Sequence, residues 1–438
     1  MSQKKKPSSV RHTRAIRVAE SKHVPAAPPD PLITERLTEL VHPATYAQMD
    51  LYHHLGLRDR LLNLPVMVAL VISMIWRHIG SASELVRVLA QEGFLWVSPL
   101  HVTQQALSLR LLDFPAILFE RVLMDVLPLV QARWEARQRP LPPEVVWAQE
   151  KFGRLLIFDG STLDSLLRKL KALRELPTTP LAGRIGALLH LGSRLPVQIW
   201  YEPDAQAHDH RFVERLLASL HAHDLLAFDA GFLDFDFFDR LTERVVAFIT
   251  RPHANTAFQV IQVLQRSATI HDRIIHLGSS AESSCAHLMR LVEVLYQGCW
   301  YRYLTNVLDP QQLPAEMIVA LYRRRWRIER AFLVVKRLLG LAYLWVGSEN
   351  GIQLQVWATW LLYALLVDLT DAVAAELNVL FDAISVEMVF RGLYHFTQAY
   401  HRKQAHDPVL YLAAHARDLA ILKRRRQPKV TAAAAGGP

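Results

Sequence analysis

Residues 321–341, LYRRRWRIERAFLVVKRLLGL, leave little choice of secondary structure. Leu321, Ile328, Phe332, Val335 and Leu339 recur at helical spacing and make one apolar stripe. At about 100° per residue, Tyr322, Arg325, Glu329 and Lys336 fall within one arc of roughly 60° beside that stripe. Arg323, Arg324, Arg327, Arg330 and Arg337 spread over the remainder. The stretch predicts a single helix with a buried face, a chemical face centred on Glu329, and a cationic face. A solvated basic helix with ion pairs four residues apart produces part of the same pattern. The two readings part on whether the chain brings other carboxylates to Glu329.

Two aspartates upstream have matching settings. The run RLLIFD, residues 154–159, is a short apolar strand signal that ends in Asp159 and is followed by Gly160, Ser161 and Thr162. The run at 225–228 delivers Asp229 just before a glycine turn and a new helix. Both carboxylates are expected at strand ends. Asp164 is a rival for the first position, and Asp224, Asp234, Asp236 and Asp239 for the second; an Asx-type turn, helix caps or solvated faces account for such residues as well. Three carboxylates from separate elements can hold two divalent ions about 3.5 to 4 Å apart, an arrangement suited to phosphoryl transfer on nucleic acid. Oxygen ligands without His or Cys favour Mg²⁺.

The spacing Tyr322-x2-Arg325-x3-Glu329-x6-Lys336 resembles the signature of the DDE transposases of bacterial insertion sequences, specifically the insertion-sequence 4 family. The surroundings of Asp229 (DAGF) and the Thr305-Asn306 pair resemble further blocks of that family, so the likeness spans about residues 150–365. It implies an α/β fold: an RNase H-like catalytic core with a β-rich insertion, flanked by all-α regions. It implies Asp159, Asp229 and Glu329 as catalytic residues and ligands of two Mg²⁺ ions, for which Mn²⁺ may substitute. Tyr322, Arg323, Arg325, Arg327 and Lys336 would contact DNA, as would Trp300 if its indole is exposed to stack on an unpaired base rather than buried in the core. Trp326 carries the same alternative. The expected activity is cut-and-paste transposition on double-stranded DNA, element ends and target, by a homodimer in the synaptic complex. A metal-dependent nuclease without strand transfer and an inactive DNA-binding derivative share the same residues.

The 438-residue chain is long enough for two or three structural units. The expected organisation is a disordered basic arm at 1–35, a helical DNA-binding domain at 36–137, and the core's first part at 146–245. A β-rich insertion at 246–303, the Glu-bearing helix at 304–350, C-terminal helices at 351–425 and a disordered tail at 426–438 complete it. Helices are expected at 45–55, 64–79, 82–92, 101–111 and 115–134. Whether the pair after Ser81 is a DNA-binding helix-turn-helix or only packing is left open by the residues themselves. The proline-rich stretch at 138–145 predicts a linker.

With 50 Lys+Arg against 41 Asp+Glu, the formal net charge of +9 favours a polyanionic partner. Two cysteines, Cys285 and Cys299, make no disulfide framework or thiolate zinc site, and the pairs His208/His210 and His221/His223 read as surface histidines. No phosphate-binding P-loop, GxSxG elbow or CxxC pair is present, so ATP hydrolysis and acyl transfer lack a motif. The N-terminal MSQKKKPSSVRHTR has no apolar core for a signal peptide, and the apolar runs 66–76 and 356–367 are shorter than the about 18 residues of a membrane span. A cytoplasmic, nucleoid-associated bacterial protein with no membrane partner is expected.

Overall fold

The computed structural model describes residues 31–163, 183–204, 207–232, 234–280, 283–341, 344–345 and 348–423. The fold is mixed α/β, with two sheets and many helices. Helices α1 (Pro31–Tyr46), α2 (Met49–His54), α3 (Leu64–Trp76), α4 (Ala82–Gln91), α5 (Gln104–Asp113), α6 (Ala116–Ala136) and α7 (Pro143–Lys151) come first. The main sheet follows: β1 (Leu155–Thr162), β2 (Arg184–His190), β3 (Pro196–Glu202), then α8 (Val213–Ser219), β4 (Leu225–Phe228), α9 (Phe235–Glu243) and β5 (Ala247–Ile249). Its order is β3-β2-β1-β4-β5; β1, β2 and β3 are antiparallel, whereas β4 is parallel to β1 and β5 to β4.

Strand periodicity splits this sheet between two cores. Leu155 and Ile157 of β1, with Leu225 and Ala227 of β4, face the helical layer; Leu156, Phe158, Leu226 and Phe228 face the opposite side. The second core is aromatic: Phe158, Phe228, Phe232, Phe237, Phe238 and Phe248 are all essentially fully buried. That is why DFDFF alternates: its phenylalanines fill the core and its aspartates stay at the surface.

The second sheet, ordered β10-β9-β7-β6, is antiparallel and consists of β6 (Phe258–Arg266), β7 (Ile270–Ser280), β9 (Met289–Tyr296) and β10 (Cys299–Thr305), with the short β8 (Ser283–Ser284) beside β7. One expectation changes here. β5 pairs with β4 and so belongs to the main sheet, which moves the start of the second sheet from 246 to Phe258. Within the stretch expected to be β-rich, Met289–Tyr296 form β9, the strand between β7 and β10. Its first five residues are buried, so the 3.6-residue period that marks a helix face has no meaning there.

The N-terminal helices do not stand apart from the rest. Residues from α1 to α7 share one core cluster with α12 (Glu349–Glu376), α13 (Val386–His401) and α14 (Pro408–Ala414). α12 is long and apolar enough to cross a membrane by length and composition, but 89% of its apolar window is buried inside the protein. Its Asp368 and Asp371 are neutralised by Arg137, at 2.6 and 3.1 Å, and Asp371 also by Arg139 at 2.7 Å. The proline-rich stretch expected as a linker is thereby tied to α12, and it leads straight into α7 with Pro143 in the first turn. α1 also begins at Pro31, inside the arm expected to lack structure.

Candidate active site

β1 and β4 run parallel with Phe158 beside Phe228 as their last matched pair. The next residues, Asp159 and Asp229, therefore emerge side by side where β4 stops, at the carboxyl end of a parallel pair. Neighbouring strands lie about 4.8 Å apart, so this register alone brings two carboxylates together. Asp159 is not at the end of its own strand, as expected: β1 continues to Thr162 against β2, with Asp159 opposite Ala187. The strand end that matters is that of β4. Asp159 accepts a hydrogen bond from the Gly160 amide at 2.9 Å.

Glu329 comes from the stretch expected as one helix, and that helix is irregular. α10 (Ala315–Arg323) gives way at Arg324 to bonds between residues three apart, Arg324 N–H to Leu321 O and Arg325 N–H to Tyr322 O, before α11 (Trp326–Leu333) begins. After Leu333 the turn widens into a π-helix, Val334–Leu338. The tightened turn buries both Tyr322 and Arg325 while Glu329 stays 43% exposed at its side chain. The wide turn carries Lys336, whose ammonium donates to Ser161 Oγ at 2.6 Å and to the Thr162 carbonyl on β1. All four signature side chains reach the β1–β4 end, by a backbone that a uniform helix does not describe.

Arg325 is the hub. Its guanidinium lies 3.2 Å from Asp159, 3.8 Å from Asp229 and 3.5 Å from Glu329, and its side chain is 4% exposed. Burial alone would lower its pKa, but the carboxylates around it and Tyr322 hold it above the ordinary arginine value. Tyr322 packs its ring against the same guanidinium, 5.7 Å from the ring centre, and burial pushes its hydroxyl up to about 12. Lys336 is lowered to about 8, first by burial and then by Arg184, with Asp159 opposing.

The rival aspartates are engaged elsewhere. Asp224 is buried under Arg154 (2.6 Å) and accepts from the His221 amide; Asp234 caps α9; Asp239 accepts from the Ala286 and His287 amides. Asp236 lies 3.6 Å from Arg240, and Asp164 falls outside the described residues. Asn306 ties β5 to its surroundings, accepting from the Phe248 amide and donating to Val246 O and Thr242 Oγ1.

The proposed DNA-contacting residues divide. Arg323 is exposed and stacks on Tyr296 of the second sheet at 4.7 Å. Trp300 is 42% exposed, stacked on His271 with ring centres 4.4 Å apart, and Trp326 is 57% exposed; neither is a core indole. Arg327, expected among the DNA contacts, lies on the far side of the helix from the carboxylates and pairs with Asp382, and burial and its arginine neighbours lower it to about 8. Asp382 was not singled out from sequence, because FDAIS has no spacing or motif that distinguishes its carboxylate.

Among the described residues, no group of three or more His, Cys, Asp or Glu side chains is arranged to enclose a metal ion as it stands. The donor chemistry nevertheless suits a hard divalent cation: three carboxylates converge on one point of positive charge, and Arg325 now supplies that charge.

Residues 184–365 match the family model described as Transposase DDE domain. The match includes Asp229 and Glu329, and begins on the strand paired with Asp159. Among curated proteins the chain is 30% identical over 159 residues to the putative transposase y4zB of Sinorhizobium fredii, covering 34% of this chain and 42% of that protein. It is 28% identical over 229 residues to the probable transposase for insertion sequence element IS5377 of Geobacillus stearothermophilus, covering 50% and 59%. The chain thus spans about half the length of these curated relatives. A solved piggyBac transposase synaptic complex with hairpin DNA aligns at 11% identity and TM-score 0.38, over 91% of this chain and 86% of that one. The family match supports a Transposase DDE domain within residues 184–365.

Proposed function

We propose that this chain is a DDE transposase of the insertion-sequence 4 type, which binds the ends of its element as a homodimer and performs cut-and-paste transposition. The main sheet, with antiparallel β1–β3 and parallel β4 and β5, is the RNase H-like core of this reading. One observation carries it: in-register parallel strands set Asp159 beside Asp229, and Arg325 links both to Glu329. In this reading the three carboxylates would hold two Mg²⁺ ions, which would supply charge neutralisation for phosphodiester cleavage. The residues of the chain do the rest. Arg325 keeps the carboxylates together before metal arrives. Lys336, fixed to the outer end of β1, presents an ammonium to the phosphate being cut, and exposed Arg323 extends that cationic track toward the second sheet. Trp300 and Trp326 offer indole faces to unpaired bases. Water oxygen displaces the 3′-oxygen of the element end, and that freed hydroxyl then attacks target phosphorus; each step breaks one P–O bond and forms one. The working location in this reading is the bacterial cytoplasm, on nucleoid DNA.

The test is cleavage and strand transfer on paired element ends in Mg²⁺, wild type against Glu329→Gln. Activity equal to wild type in the variant would overturn the assignment. Cleavage without strand transfer by the wild type would make the chain a nuclease.

A further inference from the structure

On the opposite side of the Glu329 helix, charge is unbalanced in the other direction. Arg194, Arg324 and Arg327 all pair with the single carboxylate of Asp382, the Arg324 contact being 3.4 Å. Arg324 also pairs with Glu144 at 2.6 Å, Glu144 acts on Arg327 as well, and Asp371, which lines the same hollow, acts on Arg194. Lys423 closes the group by donating to the Asp382 backbone carbonyl at 3.0 Å, and exposed Arg330 adds a further cation close enough to depress Arg194, Arg327 and Lys423. Arg194, Arg324, Arg327, Arg330 and Lys423 thus outnumber the carboxylates of Asp382, Glu144 and Asp371 around them. The buried network on α12 is closer to balance: Arg36, Arg133, Arg137 and Arg139 meet Asp368, Asp371 and Glu39.

Arg194 is held in place at some cost. It sits in the β2–β3 turn with φ of 64°, a left-handed conformation that residues with a Cβ seldom adopt. Its guanidinium stacks on Phe381 at 4.1 Å, and its Nε is buried with no hydrogen-bond partner. Arg139 Nη2, lining the same hollow, is likewise buried and unpartnered. Each of these guanidinia donates elsewhere, Arg194 to Asp382 and Arg139 to the Trp134 and Arg137 carbonyls, and the one N–H left over on each suits an oxyanion.

We propose that the exposed rim of this back face, Arg330 and Lys423 in front of the largely buried Arg194, Arg324 and Arg327 around Asp382, binds the phosphate backbone of a second DNA segment, distinct from the one at the carboxylates. The proposal rests on the transposase reading for the identity of the polyanion. Arg327 lies about 160° around the helix from Glu329, so one phosphate cannot touch both faces. DNA is favoured over a small anion because the exposed rim is extended. Arg330 and Lys423 stand at its edge, both exposed. Burial and neighbouring guanidinia lower Lys423 to about 8, which also makes its amine easy to acylate near neutral pH.

The experiment measures acylation of Lys423 by mass spectrometry in the full chain, alone, with a duplex lacking element ends, and with inorganic phosphate. Duplex binding is followed in parallel by gel shift. The expected result is several-fold protection of Lys423 by duplex and none by phosphate at equal phosphate concentration. The double variant Arg330→Ala/Lys423→Ala should reduce the salt slope of duplex binding by about 2. Saturated duplex binding with Lys423 labelled as in free protein, and an unchanged salt slope, would overturn the proposal while leaving the transposase reading intact. Equal protection by inorganic phosphate would replace DNA with a small anion and overturn it too. A wild type that binds no duplex at any salt would remove the transposase reading itself, and this proposal with it.

Discussion

Two faces of one helix carry opposite imbalances. On the Glu329 side three carboxylates share the guanidinium of Arg325; on the far side three guanidinia share the carboxylate of Asp382. In water neither would matter much, since exposed pairs contribute little. Here both shared groups are largely withdrawn from solvent, the Arg325 side chain at 4% and the Asp382 side chain at 23% exposure. Each face therefore has unspent affinity for a ligand of the sign it lacks: a divalent cation at the carboxylates, a phosphate at the arginines. The difference teaches that the number of arginines on this helix says nothing of their job. Arg325 is a counter-ion for acids, Arg327 one of several cations crowded on an acid, and Arg323 an exposed contact to the second sheet.

The largest effect that sharpens the comparison is on the acidic face. Glu329→Gln keeps shape but removes one of the negative charges that hold the metal, whose charge stabilisation amounts to several kcal/mol. Cleavage in Mg²⁺ should fall on the order of a thousandfold at saturating DNA, while gel-shift affinity for element ends stays within about threefold. A matching loss of binding and cleavage would mean that Glu329 serves the DNA surface instead.

Arg325→Gln comes next. It leaves three converging carboxylates without their cation, which in a buried site costs about 3 to 5 kcal/mol; with Asp229 and Glu329 nearly half exposed, about 2 kcal/mol is expected. Denaturant unfolding in chelator should show that loss, and Mn²⁺ should restore most of it, because the ion no longer competes with a guanidinium. If the variant were as stable as wild type in chelator, Arg325 would not be the group that assembles the site. On the back face, Asp382→Asn should do the reverse: it removes the one acid shared by three arginines and should tighten duplex binding a few-fold at low salt. Weaker duplex binding by a folded Asp382→Asn protein would argue that the arginines need Asp382 as a scaffold.

The acidic face was legible because its chemistry is local. Asp159 and Asp229 each follow a short apolar run that reads as a strand, the family resemblance chose them over their rivals, and the stretch from Tyr322 to Lys336 forms a helix that tightens at Arg324 and widens at Val334. The back face was not legible, because it is assembled from the β2–β3 turn, the helix, a 3₁₀ turn at Phe381–Ala383 and the approach to the C-terminus. No periodicity joins Arg194 to Asp382 across 188 positions. The same reason hides the union of N-terminal helices with α12: ion pairs from Arg137 and Arg139 to Asp368 and Asp371 are long-range pairings of residues that, in sequence, look like a linker and a buried helix.

The smallest expected effect separates the faces by protons. Lys336, on the acidic side, and Lys423, on the back, are both lowered from 10.5 to about 8, in each case chiefly by burial. For a base lowered on folding, the unfolded chain binds more protons between about 8 and 10.5, so stability rises with pH across that window. Below about 8 the charged lysine opposes the fold; above it the penalty fades. A phosphate beside either ammonium favours the charged form and draws the pKa back up, so duplex binding near pH 9 should take up protons. Calorimetry in two buffers of different ionisation heat measures that uptake directly, and Lys336→Met and Lys423→Met should each remove part of it. If only Lys336→Met lowers the uptake, DNA meets the carboxylate face alone and the back face is a structural ion cluster. If only Lys423→Met does, the backbone runs along the arginines and Lys336 serves β1, through Ser161 and Thr162, rather than DNA. Loss in both, each roughly half of the wild-type value, is what two DNA segments on opposite sides of one helix require.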